Sequence, residues 1–325
     1  MSKALGLLSG GLDSSLAALA LKRQGVDVTG ISFATPFFGT GRASKAAKQM
    51  EIPLIVQDIS TIHLEMVKNP RYGYGKNMNP CIDCHAMMFR LAGEIMDKEG
   101  FDFLFSGEVL GQRPMSQNAT ALKSVAKHSG FPNRILRPLS AKLLEVTTVE
   151  EQGLVDRDQL LDIQGRSRKP QEALAKEWGL IEYPSSGGGC LLTEKSFSNR
   201  LRDLLEYNPA ATPIDAELLK AGRQFRLSET AKLILGRKQA DNERIKELIH
   251  PEHIILRADN FSGPLGLVSG SSTEAEIETA AALVAGYGKG RDEQEVKILL
   301  ERDQETWELT VAPTSMEEAR GLLIE

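Results

Sequence analysis

Three cysteines in 325 residues, Cys81, Cys84 and Cys190, are too few and too odd in number for a disulfide framework. They point instead to metal, cluster or redox chemistry. No apolar run approaches the length of a membrane span. Met1-Ser2-Lys3 leads straight into the first apolar run, so no signal peptide is read and a cytoplasmic protein without membrane contact is expected. Positive charge is not in excess either. A net charge of −5 and a pI near 5.7 are not those of a generic nucleic-acid binder, so any RNA partner must be met by a local basic surface. What is present is ordinary for a globular protein: 41% hydrophobic and 26% charged residues, in a length that suits two domains with separate cores.

The informative stretch comes first. Ala4-Leu5-Gly6-Leu7-Leu8 is an apolar run of the kind a strand buried on both faces needs. Leu16 to Arg23 reads as helix, stopped at Gly25 with basic residues in its last turn. Between them lies Ser9-Gly10-Gly11-Leu12-Asp13-Ser14-Ser15. Two glycines let the backbone turn tightly and approach a ligand, and three serines add hydroxyls. The helix N-terminus turns its unpaired N–H groups and positive dipole end into the same space. Such a turn cradles an anion; the bland alternative is a Gly-rich turn that binds nothing. The Gly-Lys-Ser/Thr ending is missing, which excludes a Walker A loop. The seven-residue run resembles the pyrophosphate loop of the PP-loop ATPases, which split ATP between its α- and β-phosphates and adenylate a substrate. The resemblance implies ATP and Mg²⁺, with Ser9, Gly10, Gly11, Asp13, Ser14 and Ser15 around the phosphates and Asp13 placing the metal or the phosphates.

Strand and helix patterns then alternate: strand at 26–33, helix at 41–50, strand at 53–58, an irregular 61–79, helix at 86–99, and strands at 101–105 and 135–139. This order predicts a parallel α/β sheet with helices on both faces. Arg42, Lys45 and Lys48 read as a solvated helix face. Pro70 to Asn77 reads as a loop whose tyrosines and cations suit stacking on a nucleotide, or a cover over ATP. Ser106-Gly107-Glu108 to Gln117 follows the carboxyl end of a strand, where open α/β sheets hold ligands. In the PP-loop resemblance this is the second nucleotide-binding segment, with Gly107 and Arg113 at the ligand and Ser116 and Gln117 as further polar contacts. Phe33 is then either a wall of the adenine pocket or a plain core aromatic. Residues 150–178 read as two amphipathic helices joined by the basic Gly165–Pro170 link.

Asn79-Pro80-Cys81-Ile82-Asp83-Cys84-His85 and Ser185-Ser186-Gly187-Gly188-Gly189-Cys190 leave several readings open. The Cys-x-x-Cys-His match to c-type haem attachment is coincidental, since nothing directs export. The others are a structural zinc site, inert buried thiols, and sulfur chemistry. A Cys-x-x-Cys pair ahead of a helix N-terminus tends toward lowered thiol pKa values, and the three glycines let Cys190 come close to another group. With the PP-loop upstream, the two stretches resemble the tRNA thiouridylases and tRNA sulfurtransferases, of the MnmA and ThiI kind. The resemblance implies Cys84 and Cys190 as catalytic cysteines alongside Asp13. The position of Cys81 is often Asp there. Three cysteines are the ligand set of sulfurtransferases that hold a [4Fe–4S] cluster, so Cys81, Cys84 and Cys190 are expected as cluster ligands. A persulfide relay and a zinc site are the alternatives.

Composition shifts near Thr193, giving expected domains at 1–193 and 194–325. The second half alternates short strands with an Ala-rich helix at 273–286, a small α+β domain. Gly236-Arg237 to Asn242, Gly263-Pro264 and that helix resemble the RNA-binding domain shared with the NFACT ribosome-quality-control proteins, which implies RNA contacts at Arg237, Lys238 and Arg244. The combined expectation is ATP-dependent thiolation of a tRNA uridine, with tRNA and a sulfur donor (sulfide or a persulfide carrier) as partners and a homodimer left open. The alternatives are adenylation of a small molecule, or an RNA-binding protein with a regulatory ATPase half. No rhodanese domain or extra amino-terminal domain is read, which leaves the donor and the modified position open.

Overall fold

The computed structural model describes residues 1–185 and 189–325; Ser186, Gly187 and Gly188 of the glycine run lie outside the described residues. The chain divides into two compact units, Met1–Thr193 and Glu194–Glu325.

The first unit runs β1 (Lys3–Leu7), α1 (Leu12–Lys22), β2 (Asp27–Ala34), α2 (Gly41–Met50), β3 (Leu54–Asp58), α3 (Ser60–Lys68), α4 (Cys81–Glu99), β4 (Phe103–Ser106), α5 (Ala119–Ser129), β5 (Ile135–Leu136), α6 (Thr148–Glu151) and α7 (Lys169–Glu177). Its five strands lie in the order β3-β2-β1-β4-β5, every pairing parallel. Strand alternation feeds two cores. Ala4, Phe103 and Phe105 join Leu12, Leu16 and Leu21 of α1 and Ala43, Ala47 and Met50 of α2 on one face. Leu5, Ile31 and Leu104 join Phe89, Ala92 and Met96 of α4 and Val125 of α5 on the other. Helices therefore cover both faces, and each fully buried leucine contributes roughly 2 kcal/mol. The chain leaves β1 toward β2 on one side and takes up β4 on the other, so the strand order reverses at β1. Such a reversal opens a crevice beyond the carboxyl ends of the two strands.

Several boundaries differ from the sequence expectation. α1 begins at Leu12 rather than Leu16, which puts Asp13, Ser14 and Ser15 inside its first turn. α4 begins at Cys81, so both Cys81 and Cys84 sit in its first turn rather than ahead of it. The irregular stretch contains α3, whose nine residues mix polar and apolar positions too briefly for a clear period. Of the two helices expected at 150–178, only α7 is more than a single turn, because Gly153 (φ +67°) stops α6 at once.

The second unit runs α8 (Lys195–Tyr207), α9 (Pro213–Leu218), β6 (Arg223–Arg226), β7 (Ala231–Leu235), α10 (Gln239–Glu247), β8 (Ile254–Ala258), β9 (Gly266–Gly270), α11 (Glu274–Gly286), β10 (Val296–Arg302), β11 (Glu305–Val311) and α12 (Met316–Leu322). Six antiparallel strands lie in the order β11-β10-β8-β9-β7-β6. α11 starts from a Thr273/Glu276 capping box and packs Ala280, Ala281 and Val284 on Leu256, Val268, Ile298 and Leu300.

Candidate active site

The turn after β1 shows what each of its glycines is for. Gly10 adopts φ +73°, and a Cβ there would fall 2.2 Å from the carbonyl carbon of Arg42. Only glycine fits on both counts. Gly11, the N-cap of α1, is extended, and a Cβ on it would meet nothing nearer than Ser9 Oγ at 3.4 Å. Ser14 and Ser15 donate their hydroxyls back to the Gly11 carbonyl at 3.0 Å, and Ser9 Oγ lies 3.2 Å from Ser14 Oγ. The first intrahelical bond runs from Ser15 N–H to Gly11, so the N–H groups of Leu12, Asp13 and Ser14 precede the ladder and face the crevice end. Asp13 accepts from Gln112 Nε2 at 2.9 Å through Oδ2; its Oδ1 is buried with no partner among the described residues.

The segment after β4 closes over this turn. A Cβ on Gly107 would lie 2.4 Å from the Asp13 carbonyl carbon and the Ser14 nitrogen, so glycine lets the two backbones touch. The next residue, Glu108, is 5% exposed and ionised by design of its surroundings. Its carboxylate accepts from Arg137 Nε at 2.9 Å and Ser106 Oγ at 3.2 Å, and its other oxygen lies 2.7 Å from His85 Nδ1. Burial alone would raise its pKa, but Arg137 and His85 outweigh that and hold it down at about 2. Arg113 is exposed in the turn at 113–117, and Phe33 is 3% exposed among Ile31, Ile59 and Phe89.

The thiols are carried to the same end of the sheet. Cys84 Sγ is 3.2 Å from His63 Nε2 of α3, and Cys81 Sγ accepts from Asn79 Nδ2 at 3.3 Å. His63 is fully buried, its ring tilted against Phe37 and edge-on to Phe38, and its Nδ1 has no partner among the described residues; burial lowers its pKa to about 4 and keeps the ring neutral. Phe37 in turn accepts through its carbonyl from Leu191 N–H at 2.9 Å, which seats the Cys190 turn beside the His63–Cys84 pair. Asn77 Nδ2 ties the same turn down by donating to the Thr193 carbonyl at 2.6 Å. A Cβ on Gly189 would lie 3.2 Å from Arg42 Nη1, and the backbone of Arg42 is the one pressed on Gly10. The residue preceding Cys190 and the phosphate turn thus both lie against Arg42.

The Cys84 thiol is raised well above the ordinary range, first by burial, then by Cys190, Cys81 and Asp83 in turn. This corrects the lowered value expected of a Cys-x-x-Cys pair, since the sulfur is desolvated and ringed by groups that repel a thiolate. Among the described residues no group of three or more Cys, His, Asp or Glu is set to hold a metal ion. Of the three thiols expected as cluster or zinc ligands, Cys84 is hydrogen-bonded to His63 and Cys81 to Asn79, and Cys84 lies near enough to both Cys81 and Cys190 for them to disfavour its thiolate. In the second unit, Arg237 pairs with Asp241 at 3.4 Å, Arg244 with Glu217 and, at 3.8 Å, with Glu247, while Lys238 is exposed at the start of α10.

Sequence reasoning did not single out His63, Glu108, Arg137, Gln112 or Arg42 for the site. Glu108 and Gln112 carried a signal, both lying inside the segment already marked as ligand-binding. His63 carried none, because its role comes from a helix and an aromatic pair that only folding brings to Cys84.

A parallel sheet that reverses its strand order beside a Gly-Ser cradle, with no Walker lysine, is a nucleotide-binding architecture of the PP-loop class. Residues 1–143 match the family model described as thiamine biosynthesis protein (ThiI), and residues 222–321 match the NFACT protein RNA binding domain. The tRNA-specific 2-thiouridylase MnmA of Desulfosudis oleivorans is 40% identical over 86 residues, 25% of this chain and 24% of that protein. The same enzyme of Methylobacterium nodulans is 30% identical over 158 residues, 43% and 41% of the two chains. A probable tRNA sulfurtransferase of Oceanobacillus iheyensis is 28% identical over 148 residues, 42% of this chain and 34% of that one. The amino-terminal unit is accordingly a ThiI/MnmA-like PP-loop domain, followed by an NFACT-type domain. The chain spans between about a quarter and two-fifths of these relatives' lengths.

Proposed function

We propose that the protein thiolates a tRNA uridine at the expense of ATP, releasing AMP and pyrophosphate. The observation that carries this reading is that Arg42 lies against both the phosphate turn, at Gly10, and the turn bearing Cys190, at Gly189. The free N–H groups at the start of α1 and the Ser9 and Ser14 hydroxyls bind the phosphates, and Arg42 and Arg113 add positive charge at the rim. The unpartnered Asp13 oxygen fits a cation; Mg²⁺ bound there would neutralise charge on the pyrophosphate.

The uridine carbonyl oxygen attacks the α-phosphate, its bond to phosphorus forming as the bond to pyrophosphate breaks. A persulfide on Cys84 or Cys190 then attacks the activated ring carbon, and AMP leaves with the carbon–oxygen electron pair. The partner cysteine attacks the resulting disulfide, which releases thiouridine and leaves Cys84 and Cys190 joined until a thiol reductant opens them. Burial keeps Cys84 protonated at rest, so its sulfur is guarded from stray oxidation until the persulfide is loaded. Cys81 is dispensable to this route.

Replacing Cys84 with Ala or Cys190 with Ala in a strain lacking the chromosomal copy tests the reading. Sulfur-specific analysis of its tRNA is expected to show thiouridine lost in both variants and kept with Cys81→Ala. Unchanged tRNA sulfur would remove the enzyme reading, while loss in all three variants together with about four irons per chain in protein purified without air would replace the relay by a cluster.

A further inference from the structure

The second unit contains a groove that the site above does not use. α10 covers only part of its sheet face, where Ile245 packs on Ile234, Leu265 and Leu267. Beyond the end of α10, β8 and β10 carry Arg257, Leu299 and Glu301 on that face, and none of the three belongs to a buried cluster among the described residues. A concavity of about 670 Å³ opens here, with Lys246, Ile249, His250, His253, Arg257 and Arg302 along it. A smaller one of about 200 Å³, reaching Leu299 and Thr306, shares Ile255, Arg257 and Glu301 with it, so the two form one continuous trough.

Charge decides what the trough can hold. Acidic side chains outnumber basic ones over residues 194–325, so a polyanion can be held only by cations that no carboxylate already neutralises. Arg237, Arg244 and Lys297 are each paired with carboxylates. Lys246, Arg257 and Arg302 are exposed, line the trough and make no ion pair among the described residues. The floor between them is apolar, from Ile249, 44% exposed, to Ile255. His253 is 4% exposed and accepts the His250 N–H through Nδ1, which puts its own proton on Nε2 as a donor. Glu301 and Asp303 supply acceptors, the latter from a hairpin tip in which Asp303 and Gln304 both hold left-handed backbone (φ +46° and +73°). Separated cations over an apolar floor, with donors and acceptors between them, suit an unstacked nucleotide strand better than the smooth backbone of a duplex.

We propose that this trough grips a single-stranded RNA segment, with phosphates on Arg257, Arg302 and Lys246 and a base against Ile249 and Ile255. The assignment rests on the tRNA partner of the preceding reading, and moves the RNA contact away from Arg237 and Arg244. It is tested on the full chain by fluorescence anisotropy, with an unmodified tRNA transcript and a short single-stranded oligoribonucleotide as probes. Arg257→Glu with Arg302→Glu is expected to weaken both about tenfold or more and to lower the salt slope by about two. Arg237→Glu with Arg244→Glu is expected to stay within about twofold, and circular dichroism checks that both variants fold. Unchanged affinity in the first variant, or an equal loss in the second, overturns the trough while leaving the tRNA reading intact. A wild-type chain that binds neither probe overturns both.

Discussion

Gly10 and Gly11 are neighbours with opposite reasons for being glycine. At Gly10 the protein itself forbids a side chain, through a left-handed backbone and the carbonyl of Arg42. At Gly11 nothing among the described residues comes nearer than Ser9 Oγ, and the glycine stands at the N-terminus of α1. Gly10→Ala should therefore cost about 2–4 kcal/mol in denaturant unfolding. Gly11→Ala should leave stability within about 1 kcal/mol yet weaken ATP binding about tenfold or more in calorimetric titration. Full ATP affinity in Gly11→Ala would mean that no phosphate approaches this turn.

At the scale of elements, α4 is the piece on which the site depends, because its first turn holds Cys81, Asp83 and Cys84 together. Asp83 is turned to the loop that precedes α4. Its carboxylate accepts from the backbone N–H groups of Arg71 and Tyr72 at 3.2 and 2.9 Å, and Tyr74 donates its hydroxyl to the Val67 carbonyl at 2.7 Å. The loop at 70–77, read from sequence as a platform or cover for a nucleotide, is thus fastened between α3 and α4. Asp83→Ala should free it: we expect about 1–3 kcal/mol of lost stability and faster tryptic cleavage after Arg71 and Lys76. A cleavage pattern identical to wild type would show that the loop is held by other contacts. The same helix explains why its start was misjudged. Pro80 favours a boundary before Cys81, but the apolar period becomes regular only from Ala86.

The molecule as a whole is two units with separate cores, and the buried ion cluster of the first makes a prediction about acid. Glu108 is held at about 2 in the folded state against an ordinary 4.5. A depressed carboxylate stabilises the fold above its unfolded pKa, and that contribution is lost as pH falls from about 4.5 toward 2. It amounts to roughly 3 kcal/mol for a shift of this size. Glu108→Gln should flatten the acid limb of the stability curve over that window, and lower the plateau at neutral pH by about 3–5 kcal/mol because Arg137 keeps a buried charge without its partner. Chemical denaturation of both proteins from about pH 2 to about pH 7 checks this, since the range spans the carboxylate window and the neutral plateau. An acid limb as steep in the variant as in wild type would place the effect elsewhere.

By itself, the sequence determined the local parts. The apolar run of β1, the Ser9–Ser15 turn, the parallel alternation of the first half and the α+β character of the second all follow from period, composition and turn chemistry, which act over a few residues. Tertiary structure alone decided which side chains meet. His63 reaches Cys84, Phe37 receives Leu191, Arg42 lies between Gly10 and Gly189, and Glu108 gathers His85 and Arg137. Such meetings depend on where the helices cross the sheet and how the ends of parallel strands converge. No spacing along the chain encodes them, and neither does it encode the burial that raises one thiol and holds one carboxylate ionised.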